Sequence, residues 1–495
     1  MKKKEIYTGT VKELKFPNKG IVCTDEGDVT VKGVLPGQTI SFMLTKVKNG
    51  RFEGRLIEVL EPAPDERVSL CPHFGICGGC TYQNLPYEAE LRLKNSQVQT
   101  ILDRAVKGDY VYEGIIPSPL DEEYRNKMEF SFGNEVLDGP LTLGMHRAGR
   151  FNDVVTVDGC RIVDGDYRLI IRKTLDFFSS RNIPFYRKHT EEGYLRHLVI
   201  RKGRKIGEIL LLIETTSQLD FDMGEYAKML LSLEGRGEDP SLSLRKEKCP
   251  VDIFRARIDA PCAAVPRAGE DPSLSGKFAG ILHLRNDNPA DNVQGSDITL
   301  LYGRDYFYDE ILGLSFRITP FSFFQTNTCG AELLYSKARE YALSVMNGDK
   351  VPVIFDLYSG TGTIGQIMSK AADKVIGIEI VSEAVEAARE NAAANHLDNT
   401  EFIAGDVLKE LDRIEEKPDI IILDPPRDGC APKALSKIID YGCRHIIYIS
   451  CKITSLERDL LPLQEAGYRV IKAAAVDMFP NTANIEVATL LERAG

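Results

Sequence analysis

The chain has 495 residues, room for two to four domains, and an apolar fraction of 43 % that fits a soluble protein. Its net charge of −11, from 62 Lys/Arg against 73 Asp/Glu, argues against holding nucleic acid by bulk charge and leaves only local basic surfaces for that role. No run is long enough to span a bilayer, and "MKKKEIYTGTVKEL" lacks an apolar core behind its basic start, so a cytoplasmic protein without a membrane partner is expected. Eleven cysteines, an odd number unevenly placed, fit a reducing compartment with a few functional thiols better than a disulfide framework.

Residues 1–62 read as five short strands separated by "GDV", "LPGQ" and "KNGR" turns, the pattern of a small OB-type β-barrel. Residues 1–55 carry eleven Lys/Arg against six Asp/Glu, a local basic excess. A Pro-containing linker follows, then "CPHFGICGGC", in which Cys71, Cys77 and Cys80 give C-x5-C-x2-C, with Cys160 available as a fourth ligand. Three thiols in ten residues with glycines between them signal a metal centre. Zinc sites favour paired C-x2-4-C knuckles; one wide gap and a distant fourth cysteine fit a 4Fe–4S cluster better. Residues 63–305 mix helix and strand patterns and form a central α+β domain. "GEDPSLS" occurs at 237–243 and again at 269–275, marking a surface insertion at about 217–280.

From residue 306 to 495 the pattern is regular β/α alternation. "VPVIFDLY", "KVIGIEI", "NTEFIAGD", "PDIIILDPP" and "RHIIYISC" read as near-continuous apolar strands, with "YRVIKAAAVDMF" and "NIEVATLLE" closing the sheet. The first strand runs into "DLYSGTGTIG", a G-x-G-x-x-G that dinucleotide folds and S-adenosylmethionine methyltransferases share. Asp356, four residues before Gly360, would repel a pyrophosphate and suits the ammonium and sulfonium of the methyl donor. Glu379, ending the second strand, can take a ribose diol in either case. Asp424 of "DPPR" ends the fourth strand, at the rim where open α/β sheets bind ligands. Asp-Pro-Pro-aromatic is the amine-methylating pattern; Arg427 in the fourth place weakens that option. Cys451 ends the next strand on the same rim, with Thr454 or Ser455 able to cap the following helix. A lone cysteine is usually a small apolar residue, but one beside a methyl-donor pocket is placed like a nucleophile. Glu486, heading the last strand, can return to the same rim.

Together these residues resemble the RNA 5-methyluridine (uracil-C5) methyltransferases, most closely the 23S rRNA (uracil-5-)-methyltransferases that carry a TRAM barrel and an iron–sulfur cluster. The resemblance covers nearly the whole chain. It implies an α/β protein: a class I, Rossmann-like methyltransferase domain at 306–495, an N-terminal TRAM barrel at 1–62, and a central α+β iron–sulfur and RNA-binding domain at 63–305. "CPHFGICGGCTYQ" is similar to the cluster motif, with Cys71, Cys77, Cys80 and Cys160 as ligands of a 4Fe–4S cluster. "YRNKMEFSFG" and "LRHLVIRKG" resemble segments that contact RNA. Gln325 of "FSFFQTNT", Asp356, Tyr358, Gly360, Gly362, Glu379, Asp406 and Asp424 fall at positions for S-adenosyl-L-methionine, Asp356 toward the ammonium, Glu379 toward the ribose and Asp406 toward the adenine amine. Cys451 matches the nucleophile and Glu486 the general base. Lys452 and Asn484 depart from the family, which often has Asn-Pro after the nucleophile and His two before the base.

The chemistry implied is specific. C5 of uracil is a poor nucleophile; addition of a thiolate at C6 makes C5 enolate-like, and a base must then remove the C5 proton so that the cysteine leaves. The uridine must be flipped out of its stack. A loop uridine of 23S rRNA and a monomeric enzyme are expected, with transfer RNA the alternative because its methyltransferases typically lack the barrel and the cysteines. A rival of another class, an NAD-dependent iron–sulfur oxidoreductase, leaves Asp356, Cys451 and Glu486 without work. A degenerate RNA-binding module would lack the nucleophile or the base.

Overall fold

The structure is a computed structural model that describes residues 1–150, 152–234, 273–290, 292–346 and 350–493. Five strands, β1 (Ile6–Lys15), β2 (Lys19–Thr24), β3 (Gly27–Lys32), β4 (Thr39–Lys48) and β5 (Arg51–Glu61), close into a barrel in the order β1-β2-β3-β5-β4. Alternation along the strands turns Val11, Val22, Val29, Val31, Ile40, Phe42 and Leu44 inward, giving the barrel a core of its own. The barrel expected from the sequence is there.

The segment with Cys71, Cys77 and Cys80 leads into helix α1 (Tyr87–Ala105) and strand β6 (Val111–Ile116). A seven-stranded sheet then forms from β7 (Lys127–Gly133), β8 (Thr142–His146), β9 (Val154–Thr156), β10 (Leu195–Lys202), β11 (Glu208–Thr215), β12 (Lys277–Arg285) and β13 (Ile298–Gly303), in the order β13-β12-β11-β10-β7-β8-β9. Helices α2 (Gly165–Ser179) and α3 (Met223–Leu231) share a core with one face of it. Its central strands are apolar on both faces for a visible reason. Leu198, Ile200, Ile209, Leu211 and Ile213 join the core with α2 and α3, while the alternate residues Val199, Leu210 and Leu212 join a second core shared with the C-terminal part. α3 and the start of β12 belong to this packed layer, so the insertion expected at about 217–280 reaches into core elements at both ends. The first "GEDPSLS" copy lies outside the described residues.

A hairpin of β14 (Phe307–Ile311) and β15 (Leu314–Ile318) precedes helix α4 (Thr328–Ser344). The remaining elements are β16 (Val351–Leu357), α5 (Thr363–Met368), β17 (Ala372–Glu379), α6 (Ser382–Ala394), β18 (Thr400–Ala404), α7 (Val407–Glu410), β19 (Ile420–Leu423), α8 (Pro432–Tyr441), β20 (His445–Ser450), α9 (Ile453–Glu465), β21 (Tyr468–Val476) and β22 (Glu486–Arg493). They build one eight-stranded sheet in the order β18-β17-β16-β19-β20-β22-β21-β6, with β16 to β20 parallel and β22 antiparallel between β20 and β21. The seven strands read from the sequence are present. The eighth, β6, pairs in parallel with β21, and Val98, Ile101 and Leu102 of α1 share a core with Leu456, Leu460 and Leu463 of α9. Residues 87–116, expected in the central part, thus complete the C-terminal sheet. Among the described residues no helix is long and apolar enough to cross a membrane.

Candidate active site

The parallel strands β16, β17 and β19 end on one rim, as open α/β sheets require of a ligand site. Asp356, the penultimate residue of β16, is fully buried; its Oδ2 accepts the backbone N–H of Gly365 at 2.8 Å, and its Oδ1 has no partner. Burial, with Asp424 and Glu379 nearby, raises its carboxyl to about 8. The orphaned Oδ1 under the glycine loop leaves one buried polar atom open to a ligand. Gly362 stands at φ +74°, and a Cβ there would lie 2.7 Å from the Phe402 ring, so the loop tolerates only glycine at that point. Gly360 is also left-handed and gives its N–H to Glu379 Oε2 at 3.0 Å, while Glu379 Oε1 accepts from Val381 N at 3.0 Å. The acid is thereby fixed at the strand end. Tyr358 is left-handed as well and half-buried, with its hydroxyl raised by burial and by the neighbouring Cys430 and Asp406. Asp406 caps α7, accepting from Leu408 N at 3.0 Å.

Cys451 follows β20 directly. The antiparallel register pairs Ser450 with Val487, so the next step sets Cys451 opposite Glu486. The thiol senses the acid. Burial raises the Cys451 thiol to about 11, Glu486 and Asp424 add to the rise, and Arg427 opposes it. Glu486 is buried, and burial together with Asp424 lifts its carboxyl well above the usual range, again opposed by Arg427. Asp424 is itself raised to about 7 by burial. Arg427 is oriented through its Nη2, which donates to Asn484 Oδ1 at 2.9 Å. Thus Asn484, one of the two departures from the family pattern, holds the cation that faces the thiol. Lys452, the other, reaches Asp428 at 3.4 Å. Neither Thr454 nor Ser455 caps α9. Both lie inside it, and Ser455 Oγ instead donates to Arg427 O at 2.9 Å.

Gln325 sits just before α4, nearly buried, with its carbonyl held by Asn126 Nδ2 at 2.8 Å. One residue escaped the sequence reading. Tyr335 of α4 is buried, with its acidity suppressed by burial, Asp424, Glu486 and Asp356 and partly restored by Gln325. A tyrosine at helical spacing reads as core, and only the fold reveals that its hydroxyl lies among the acids.

Cys71, Cys77, Cys80 and Cys160 line one cavity together with Met128, Met145 and Ile162. Burial raises Cys80 to about 12, with Cys160, Cys77 and Cys71 adding to it, and Cys160 to about 11, with Cys71 and Cys77 adding. No group of three or more His, Cys, Asp or Glu among the described residues is disposed to hold a single metal ion. The four thiols converge on a cavity wall, which differs from the finished metal centre that the sequence suggests.

Comparison with known proteins identifies the family. The family described as tRNA (Uracil-5-)-methyltransferase matches residues 303–494. An RNA methyltransferase of Caldanaerobacter subterraneus subsp. tengcongensis is 44 % identical over 493 residues, covering 100 % of both chains. One of Clostridium acetobutylicum is 42 % identical, covering 100 % of this chain and 99 % of its own. The chain belongs to the RNA uracil-C5 methyltransferase family. The solved tRNA (uracil-54, C5)-methyltransferase of Pyrococcus abyssi, in complex with S-adenosyl-L-homocysteine, has the same fold, with a TM-score of 0.71 at 23 % identity over 98 % of this chain and 100 % of its own. As a member of the RNA uracil-C5 methyltransferases, the protein is an enzyme that transfers a methyl group to RNA.

Proposed function

We propose that this enzyme methylates C5 of a uracil in RNA through a covalent adduct between Cys451 and C6 of the ring. The observation that carries this reading is the register that sets Cys451 opposite Glu486 beside Asp424 and the glycine loop. The Cys451 thiolate adds to C6, leaving C5 with enolate character. C5 takes the methyl group that S-adenosyl-L-methionine supplies. Glu486 then accepts the C5 proton, and the C6–S bond breaks as the C5=C6 double bond returns. Gln325, Asp356, Tyr358, Gly360, Gly362, Glu379, Asp406 and Asp424 hold the donor in this reading. RNA containing 5-fluorouridine tests it, because fluorine at C5 cannot leave as a proton. A denaturing gel should show a stable protein–RNA band with the wild type and none with Cys451→Ala; the same band from both would sink the adduct.

For the substrate we propose a loop uridine of 23S rRNA, gripped by residues 1–62 as a TRAM barrel and by the central part at 63–305, with 306–495 as the catalytic part and the enzyme working as a monomer. A transfer-RNA substrate is the second reading. The Pyrococcus transfer-RNA enzyme covers 98 % of this chain, barrel included, so a barrel does not exclude transfer RNA. Mapping 5-methyluridine in both RNA classes from a deletion strain separates the two. For the four cysteines we propose a 4Fe–4S cluster. Their shared cavity, whose lining includes no carboxylate, supports a soft thiolate set, and the protein purified without oxygen should be brown and lose that colour in Cys77→Ala. Colourless protein with stoichiometric zinc would overturn it.

A further inference from the structure

A separate pocket opens where the start of β7, the end of β10 and the N-terminus of α2 meet. Arg125, Asn126, Tyr167, Lys202 and Arg204 line it. Tyr167 is 1 % exposed, yet its hydroxyl has no hydrogen-bond partner. A buried hydroxyl facing a pocket without a partner marks a missing ligand. Burial raises it far above ordinary tyrosine, so it stays a neutral donor.

The charges around it are unbalanced. Glu123 and Asp164 also line the pocket, but both are engaged. Glu123 accepts from Arg168 Nη2 at 2.6 Å, and Asp164 shares Lys202 Nζ with Asp166 at 2.6 Å each. Among the described residues Arg125 and Arg204 meet no carboxylate; Arg125 Nε donates only to Lys127 O at 3.1 Å, and Arg204 is exposed. Lys127, paired across the sheet with the buried Arg201, is lowered by burial and by Arg201, with Glu129 opposing and Arg125 adding to the fall. Two free guanidinium groups and an unused hydroxyl suit an anion with several acceptor oxygens. The pocket adjoins the candidate active site, because Asn126 binds Gln325 O through Nδ2 at 2.8 Å and Thr326 O through its backbone N–H at 2.8 Å.

We propose that this pocket binds a backbone phosphate of the RNA strand that presents the target uridine, with Arg204 and Arg125 neutralising it and the Tyr167 hydroxyl donating to it. The proposal rests on the uracil-C5 reading above and assigns it a substrate contact outside the catalytic rim. The test measures binding of the full-length protein to a fluorescein-labelled hairpin RNA with a uridine loop, by anisotropy over a range of KCl. Arg204→Ala should bind about tenfold more weakly, with the slope of log K against log salt reduced by about one. Tyr167→Phe should weaken binding about threefold to tenfold with the slope unchanged, since the hydroxyl carries no charge. Both should bind S-adenosyl-L-methionine as the wild type does. Wild-type RNA affinity and slope in both variants overturn the proposal. So does thermal stabilisation by inorganic phosphate that Arg204→Ala abolishes while RNA affinity stays unchanged, which would assign the pocket to a free anion. If the wild type transfers no methyl group to uridine but Arg204→Ala still shows the lower slope, the pocket stands and the uracil-C5 reading falls.

Discussion

Cys451 and Glu486 must both be ionised to do the proposed work, one to add to the ring and the other to take a proton from it. Burial holds protons on both, and the Glu486 charge adds to the rise of the Cys451 thiol. The sign follows. A thiol raised to about 11 is protonated at neutral pH, so kcat/KM should climb as pH rises from neutrality and fall as protons return. Arg427 is the charge that opposes this rise. Arg427→Ala should shift the acid limb upward, so that its deficit against the wild type is greatest at low pH and narrows as pH rises; a pH profile of kcat/KM checks this, and a constant ratio would exclude an electrostatic role. Glu486→Gln should behave differently. It can still add and methylate but cannot accept the C5 proton, so turnover should drop about 10²–10⁴-fold while a denaturation-resistant RNA adduct accumulates with ordinary uridine. Unimpaired turnover would remove Glu486 from the base role.

At the scale of elements, the rim is held by loops pinned from behind. Asp459 on α9 is buried, and its Oδ2 accepts both Cys430 N at 2.8 Å and the Tyr448 hydroxyl at 2.7 Å. It ties the loop after Asp424 to β20, which delivers Cys451. Asp459→Ala should strand two buried donors, at about 1–3 kcal/mol each, and lower the urea midpoint accordingly. Adding Tyr448→Phe should recover part of the loss, because the hydroxyl left without its acceptor goes with it; strict additivity would show that the contact is idle. None of this pinning was legible in the sequence, since an aspartate inside an amphipathic helix has no signature. The strands were legible because parallel strands covered on both faces are continuous apolar runs. The rim residues were legible because Asp356, Asp424 and Cys451 each sit at or near the end of such a run. β6 was not: "VYEGII" is short and lies far from its partner in sequence, so its place beside β21 is decided by tertiary pairing alone. Tyr335 and the Arg427–Asn484 bond were hidden for the same reason, each depending on a neighbour supplied by another element.

For the whole molecule, the decisive joint is α1. Its Gln97 donates to Leu14 O of the barrel at 2.8 Å, and its Lys94 Nζ lies 2.7 Å from Glu90 and 2.8 Å from Asp477, all three buried. Asn481 N donates to Glu90 Oε2 at 3.0 Å, and Asn481 O accepts from Thr81 and Tyr82, just after the cysteine segment. Helix α1 thus meets the barrel through Gln97 and the loop that leads to Glu486 through Glu90 and Lys94, and that loop in turn holds the cysteine segment. Burial raises the Glu90 carboxyl, Asp477 adds to the rise, and Lys94 counters it. An acid raised in the folded state binds its proton more firmly there than in the unfolded chain. Its contribution therefore turns unfavourable as pH climbs from about 4.5, where an unfolded glutamate ionises, and is complete above the folded value. Lys94→Met removes the cation and leaves two buried carboxyls facing each other. The variant should lose about 3–5 kcal/mol at neutral pH and above, and much less in acid, where a proton on Glu90 makes up for the missing cation. Urea denaturation of both proteins across that range checks it. A stability gap independent of pH would mean that Lys94 holds the joint by the packing of its methylenes, and that its charge between Glu90 and Asp477 adds nothing.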